Sequence, residues 1–155
     1  MSNSNRKSLQ NKVALVIGGS RGIGAAIVER LAAEGAAVAF TYVSSAQKAE
    51  ALAAGLRAQD SKVLAIQADS ADEQALRAAV NATVKTYGRL DILVNSAGVL
   101  AIGPLEDFSM ADFDHTLAVN VRSVFVAIQE AARHMGEGGR IITIGSTNAE
   151  RMPFA

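Results

Sequence analysis

The chain has 155 residues, of which half are apolar and 19% are charged, and this composition is typical of one well-buried globular domain and excludes general disorder. Fifteen basic residues balance fifteen acidic ones, so no overall positive field favours nucleic acid or an anionic membrane as a partner. The absence of cysteine excludes disulfides, thiolate metal sites and a cysteine nucleophile, and the sequence contains neither a signal-peptide pattern nor an apolar run of about 20 residues.

The first half of the chain predicts strands that alternate with helices. A short apolar run at 12–17, followed at once by glycines, is typical of a buried parallel strand. Helical spacing of apolar residues continues from 22 to about 34, where Gly35 fits a helix end. We expect a second strand at 36–42, an alanine-rich helix at 45–59 and a third strand at 62–68. A turn at 69–72 then carries capping residues for a helix over 72–87.

The second half continues the alternation. A fourth strand is predicted at 90–95, and helical periodicity extends from 109 to 135 with a bend or break near Asn120. Three glycines end that helix, and a fifth strand follows at 140–144. Strands and helices joined by short turns predict an α/β fold with a doubly wound parallel sheet. We assign residues 1–155 to one cytoplasmic domain whose residues 1–8 are flexible.

The glycine-rich segment between the first strand and the first helix predicts a dinucleotide site. Residues 18–24 have the sequence GGSRGIG. Gly18 can adopt the backbone angles of a tight turn, while Gly22 and Gly24 let the backbone approach a ligand and the helix pack on the strand. The helix N-terminus offers unpaired N–H groups to a pyrophosphate. The site residues assigned here are Gly18, Ser20, Arg21, Gly22, Ile23 and Gly24. The alternative is a glycine turn that joins strand to helix without a ligand.

The residues near the end of the second strand favour NADP over NAD. A ribose without the extra phosphate usually meets an Asp or Glu there, but 40–45 reads FTYVSS. Arg21 and the serine hydroxyls suit a 2'-phosphate instead, so Tyr42 and Ser44 join the predicted cofactor site. Alternatively, Arg21 is a solvated surface cation.

Two further strand ends contribute candidates. Asp69 and Ser70 follow the third strand, where Asp69 either accepts a hydrogen bond from the adenine amino group or caps the next helix. After the fourth strand stands NSAG, in which Ala97 and Gly98 leave room for cofactor and Asn95 can tie neighbouring strands together.

Taken together, GGSRGIG, Asp69, NSAG, the VNV around Asn120 and the ITIGS that ends in Ser146 resemble the short-chain dehydrogenase/reductase family in order and spacing, above all its 3-oxoacyl-[acyl-carrier-protein] reductase type. The resemblance implies a Rossmann fold and hydride transfer between nicotinamide C4 and the carbonyl or alcohol carbon of a small molecule. It also implies that Ser146 hydrogen-bonds the substrate oxygen and that Asn120 holds a water in a proton relay.

The residues themselves leave alternatives open. An Asn inside an apolar helix suits either a kink with bound water or a cap on the second half of a broken helix, and Ser146 alone would be an ordinary loop serine. The family's catalytic Y-x-x-x-K lies beyond the serine and does not occur before Ala155. We therefore expect these 155 residues to be inactive alone, without the family's C-terminal strands and helices. The rival hypothesis is a non-catalytic nucleotide-binding regulator on the same fold. No metal site is predicted.

The long helix predicts a homo-oligomer. Its apolar residues exceed what one sheet face needs: Leu117, Val121, Val124, Phe125 and Ile128. By resemblance, the family forms tetramers through this helix and the next. An exposed apolar patch here is expected to drive association or instability.

Overall fold

The computed structural model describes residues 7–147, which form five strands and five α-helices. The strands are β1 (Val13–Ile17), β2 (Ala37–Tyr42), β3 (Val63–Gln67), β4 (Ile92–Asn95) and β5 (Arg140–Thr143). The helices are α1 (Gly22–Ala33), α2 (Ala46–Arg57), α3 (Glu73–Tyr87), α4 (Met110–Leu117) and α5 (Ser123–Ala132), with a 3-10 turn at Leu105–Asp107. Of the predicted flexible segment, residues 1–6 lie outside the described residues, whereas the Ser8 hydroxyl donates to Glu34 at the end of α1.

All strand pairs in the sheet are parallel, and the strand order is β3-β2-β1-β4-β5. This arrangement confirms the predicted doubly wound α/β fold. The chain moves outward from β1 in one direction through β2 and β3, and in the other through β4 and β5. The order therefore reverses between β1 and β4, and in open α/β sheets ligands bind outside the carboxyl ends of the strands at such a point.

Two apolar layers cover the sheet because side chains alternate between its faces along each strand. Val16 and Phe40 point to the layer built with α1 and α2, which also holds Val28 and Ala53. Leu15 and Leu93 point to the other layer, where residues of α3 and α5 pack. β1 is buried along its whole length, as expected for a central strand. In contrast, every residue of β5 is exposed in this chain.

The helix predicted over 109–135 does not break near Asn120. Between α4 and α5 the chain forms a π-helical segment at Ala118–Arg122, in which the Ser123 N–H donates to the Ala118 carbonyl five residues earlier. The expected interruption is therefore a local widening of one helix, with no cap at its centre. Such π-segments occur frequently at functional sites.

Candidate functional site

The glycine turn after β1 is fixed to the neighbouring strand by one threonine. Thr41 is buried near the end of β2, and its side-chain Oγ1 accepts from the Gly18 N–H at 2.9 Å. The Thr41 carbonyl accepts from the Gly19 N–H at the same distance. The N–H groups of Gly18 and Gly19 are thus both satisfied by β2. Sequence patterns did not predict this role of Thr41, because Gly18 and Thr41 lie 23 residues apart and meet only in the folded sheet.

Close backbone packing explains why glycines occupy this turn. Gly18 has φ +79°, and a β-carbon there would stand 2.8 Å from the Ala97 backbone. A β-carbon on Gly24 would collide with the Gly18 carbonyl oxygen. The start of α1 and the loop after β4 therefore pack against the turn as closely as backbone allows, which agrees with the tight turn predicted at Gly18 and the helix packing predicted at Gly24.

The N-terminus of α1 faces open space. Gly22 has φ +53°, and nothing lies within 4 Å of the position of its missing β-carbon. Arg21 is the N-cap residue, but its side chain forms no capping hydrogen bond and the first turn contains no acidic residue. The helix therefore presents unpaired N–H groups with a partial positive charge at this end. Within residues 7–147 the exposed Arg21 guanidinium forms no ion pair, and Ile23 beside it is 65% exposed.

The residues predicted to lie near the adenosine are at the carboxyl ends of β2 and β3. The Tyr42 ring is half-buried against the α1–α2 layer, whereas Ser44 is exposed. One carboxylate oxygen of Asp69 accepts from the Ala71 N–H at 2.8 Å, and Ser70 is buried. The capping alternative for Asp69 was wrong, because Asp72 is the residue that caps α3, accepting from the N–H groups of the second and third helical residues.

Asn95 joins β4 to β5, as predicted for a polar side chain at this position. Its Nδ2 donates to the Thr143 hydroxyl at 3.3 Å, and its carbonyl accepts from the Ile144 N–H. The side chain is 4% exposed, and its Oδ1 has no hydrogen-bond partner among the described residues. A buried acceptor without a donor costs about 1–3 kcal/mol. Thr143 was missed because its partner is 48 residues away.

Asn120 holds the loop that follows β4. Its Oδ1 accepts from the Val99 N–H at 2.9 Å and its Nδ2 donates to the Val99 carbonyl at 2.8 Å. The side-chain amide therefore satisfies one backbone residue completely and caps no helix, which corrects the capping alternative. Ser146 is exposed three residues after β5, so it lies at the same sheet edge as the β4 loop.

Comparison with known protein families identifies the family to which this chain belongs. Residues 12–155 match the family described as short chain dehydrogenase. The chain belongs to this family. This match confirms the resemblance inferred from the five motifs. The matched residues include the strands, the glycine turn and the loops described above. In the part of the chain that the structure describes, no helix combines the length and the apolar character that a membrane crossing requires.

Similar proteins agree with the assignment. A short-chain dehydrogenase/reductase from Serratia marcescens is 66% identical, with a TM-score of 0.93, over 95% of this chain and 60% of its own. A short chain dehydrogenase from Burkholderia cenocepacia, solved in complex with NADP, is 57% identical, with a TM-score of 0.93, over 96% of this chain and 60% of its own. The cyclic-di-GMP-binding biofilm dispersal mediator protein of Escherichia coli is 45% identical over 93% of this chain. This chain spans 57% of the length of that last relative.

Proposed function

We propose that the protein is an NADP-dependent oxidoreductase that transfers a hydride between nicotinamide C4 and the carbonyl or alcohol carbon of a small molecule. The observation that carries the proposal is the glycine cradle at the switch point of the sheet. There the first helix presents an uncapped N-terminus directly beside an exposed guanidinium that has no ion pair within residues 7–147. Family membership supports the same reaction class.

The residues present fit a dinucleotide. Gly22 faces open space at the start of α1, so the N–H groups at this uncapped helix end can approach a pyrophosphate. NADPH, when bound, supplies the hydride. The residues of this chain would bind the cofactor phosphates at the start of α1 and orient the substrate carbonyl after β5.

NADP is favoured over NAD by the charges at the adenosine end. No acidic residue occurs between the end of β2 and the start of α2, whereas Arg21 in the glycine turn and Ser44 after β2 are both exposed. A guanidinium matches phosphate oxygens with two parallel N–H donors, and an exposed hydroxyl adds a third. The NADP complex of the Burkholderia relative supports this preference.

Ser146 and Asn120 are the proposed polar residues near the substrate. The Ser146 hydroxyl would donate to the carbonyl oxygen of the substrate and stabilise the negative charge that develops on it. Asn120, through its two bonds to Val99, fixes the loop beside that position. The proposed proton relay would pass through a water held at the π-helical segment.

Cofactor binding is the decisive test, because the chain spans about three-fifths of its relatives and turnover belongs to the whole protein. Titration of the 155-residue chain by nicotinamide fluorescence should show tighter binding of NADPH than of NADH. Arg21→Gln should weaken the binding of NADPH by about tenfold or more, which is the contribution of a charge-assisted hydrogen bond. The affinity for NADH should not change. Arg30→Gln is the matched control, since Arg30 lies on the same helix but pairs with Glu34. Equal affinity for NADPH and NADH would overturn the proposed preference for NADP. If neither nucleotide binds, the proposed function is overturned.

A second candidate is a nucleotide-binding regulator on the same fold. The Escherichia coli relative described as cyclic-di-GMP-binding favours it. The two candidates differ in one measurement, because an enzyme consumes NADPH in the presence of carbonyl compounds. Binding of cyclic di-GMP by the whole protein, with no oxidation of NADPH by any carbonyl compound, would favour the regulator.

A further inference from the structure

An open cleft lies at the amino-terminal edge of the sheet, at the opposite end of β1 from the glycine turn. Its volume of about 490 Å³ is within the range of about 300–1,000 Å³ for small-molecule sites. Its lining includes the residues just before β1, β2 and β3 and the end of α3. Three of the five lysines of the sequence line this cleft, together with one arginine: Lys7, Lys12, Lys62 and Arg89.

The cleft carries more positive than negative charge. Lys12 and Arg89 share the carboxylate of Asp91, which lies 3.6 Å from the Lys12 ammonium and accepts from the Arg89 guanidinium. Within residues 7–147 neither Lys7 nor Lys62, both exposed, forms an ion pair. One further carboxylate lines the cleft. Four cations thus stand against two carboxylates in a chain without net charge, and this local excess attracts anions.

The segments that carry the unpaired lysines are held by hydrogen bonds and close packing. The Leu9 N–H donates to the carbonyl of Glu34, just after α1. A β-carbon on Gly35 would lie 2.9 Å from the β-carbon of Lys7, so the stem of Lys7 packs against Gly35. Before β3, the Ser61 N–H donates to a carbonyl in the last turn of α2. Both lysines therefore extend from supported turns, as a specific contact requires.

We propose that this cleft binds a small phosphate dianion, either free phosphate or a phosphate monoester, at a site separate from the dinucleotide site. A phosphate group carries roughly two negative charges near pH 7, which matches the excess of positive charge. Ammonium and guanidinium groups bind phosphate oxygens through charge-assisted hydrogen bonds, and Ser61 and Tyr87 add hydroxyl groups to the lining. Cations are costly to bury without an anion, so this surface does not suit an apolar covering segment.

The test is a titration of the isotope-labelled full chain with inorganic phosphate and with phenyl phosphate at constant ionic strength, followed by amide NMR shifts. The amides of residues 10–12 and 60–62 should shift until the site is saturated, and phenol should leave them unmoved. Tighter binding of phenyl phosphate would identify a monoester as the ligand, whereas equal affinity would identify the free ion.

The remaining lysines supply a matched control. Lys7→Gln combined with Lys62→Gln should weaken phosphate binding by about tenfold or more, as expected when charge-assisted hydrogen bonds are lost. Lys48→Gln combined with Lys85→Gln removes the same charge outside the cleft and should leave the affinity nearly unchanged. All four lysines are exposed, so neither pair of substitutions removes core packing. Shifts confined to the glycine turn, no shifts at millimolar phosphate, or equal weakening in both double variants would overturn the proposal.

Discussion

Gly24 lies where no β-carbon fits, since any side chain would meet the Gly18 carbonyl. Gly24→Ala should therefore push α1 away from β1 and reduce the free energy of unfolding by about 1–3 kcal/mol, with loss of NADPH binding. Urea unfolding followed by circular dichroism measures the first effect. Gly55→Ala is the matched control, because Gly55 lies inside α2 with nothing within 4 Å and alanine there should stabilise by about 0.5–1 kcal/mol. Equal stability of the Gly24 variant and wild type would contradict the packing argument.

Asp91, just before β4, is the most densely paired carboxylate at the opposite edge of the sheet. Its oxygens accept from both sides of the Arg89 guanidinium and from the Val13 N–H, and Lys12 lies 3.6 Å away. Burial raises the pKa of Asp91, but the hydrogen bonds from Arg89 and Val13 and the two positive charges lower it further, so the net pKa lies below its ordinary value.

This lowered pKa predicts a pH-dependent effect of Asp91→Asn. A carboxylate with a depressed native pKa stabilises the fold above its unfolded value of about 3.9, and that contribution is lost as the pH falls through the native value. At pH 7 the variant should lose about 1 kcal/mol, because the cationic partners are largely exposed. Below about pH 4 the difference should shrink. Urea unfolding between pH 2.5 and 7 tests this, and a difference independent of pH would contradict it.

The N-terminus of α3 depends on one side chain, whereas that of α2 does not. Asp72 accepts from the Gln74 and Ala75 N–H groups, but Ser45 at the start of α2 forms no capping bond. Asp72→Ala should cost about 1 kcal/mol of stability, and Ser45→Ala should cost much less. Chemical denaturation of both variants makes the comparison. Equal losses would show that helix propensity, rather than the cap, controls these ends.

Local patterns were sufficient to predict most elements but not the contacts between them. The β1 run and the helical spacing that ends at Gly35 each depend on neighbours a few residues away, so the predicted boundaries agree with the structure to within a residue or two. Thr41 under the glycine turn and the Asn95–Thr143 pair depend on strands brought together by folding. Asn120 is unusual inside an apolar helix, but its partner Val99 lies on another element, so the sequence pattern could not show that this side chain binds the loop after β4.

At the scale of the molecule, one surface is more apolar than an isolated domain requires. The buried face of α5, which includes Val126 and Ala131, packs on the sheet, so the predicted apolar excess must lie elsewhere. The structure places much of it in solvent, with Leu117 41%, Val121 59% and Phe125 64% exposed at spacings of four residues. Val124 and Ile128 are only partly exposed. This stripe is the surface through which we propose that the protein forms homo-oligomers.

Phe125→Ser should weaken that association. Removing an exposed phenylalanine from the contact between copies loses about 2 kcal/mol of favourable apolar burial. This loss corresponds to a dissociation constant at least about tenfold higher. Sedimentation velocity at micromolar concentrations should show a wild-type oligomer and a lighter Phe125 variant. Val43→Ser is the control, since Val43 is 50% exposed just after β2, which lies two strands away from β4, the strand that α5 contacts. A monomeric wild-type chain, or an equal shift in both variants, would show that the stripe on α4 and α5 does not hold copies together.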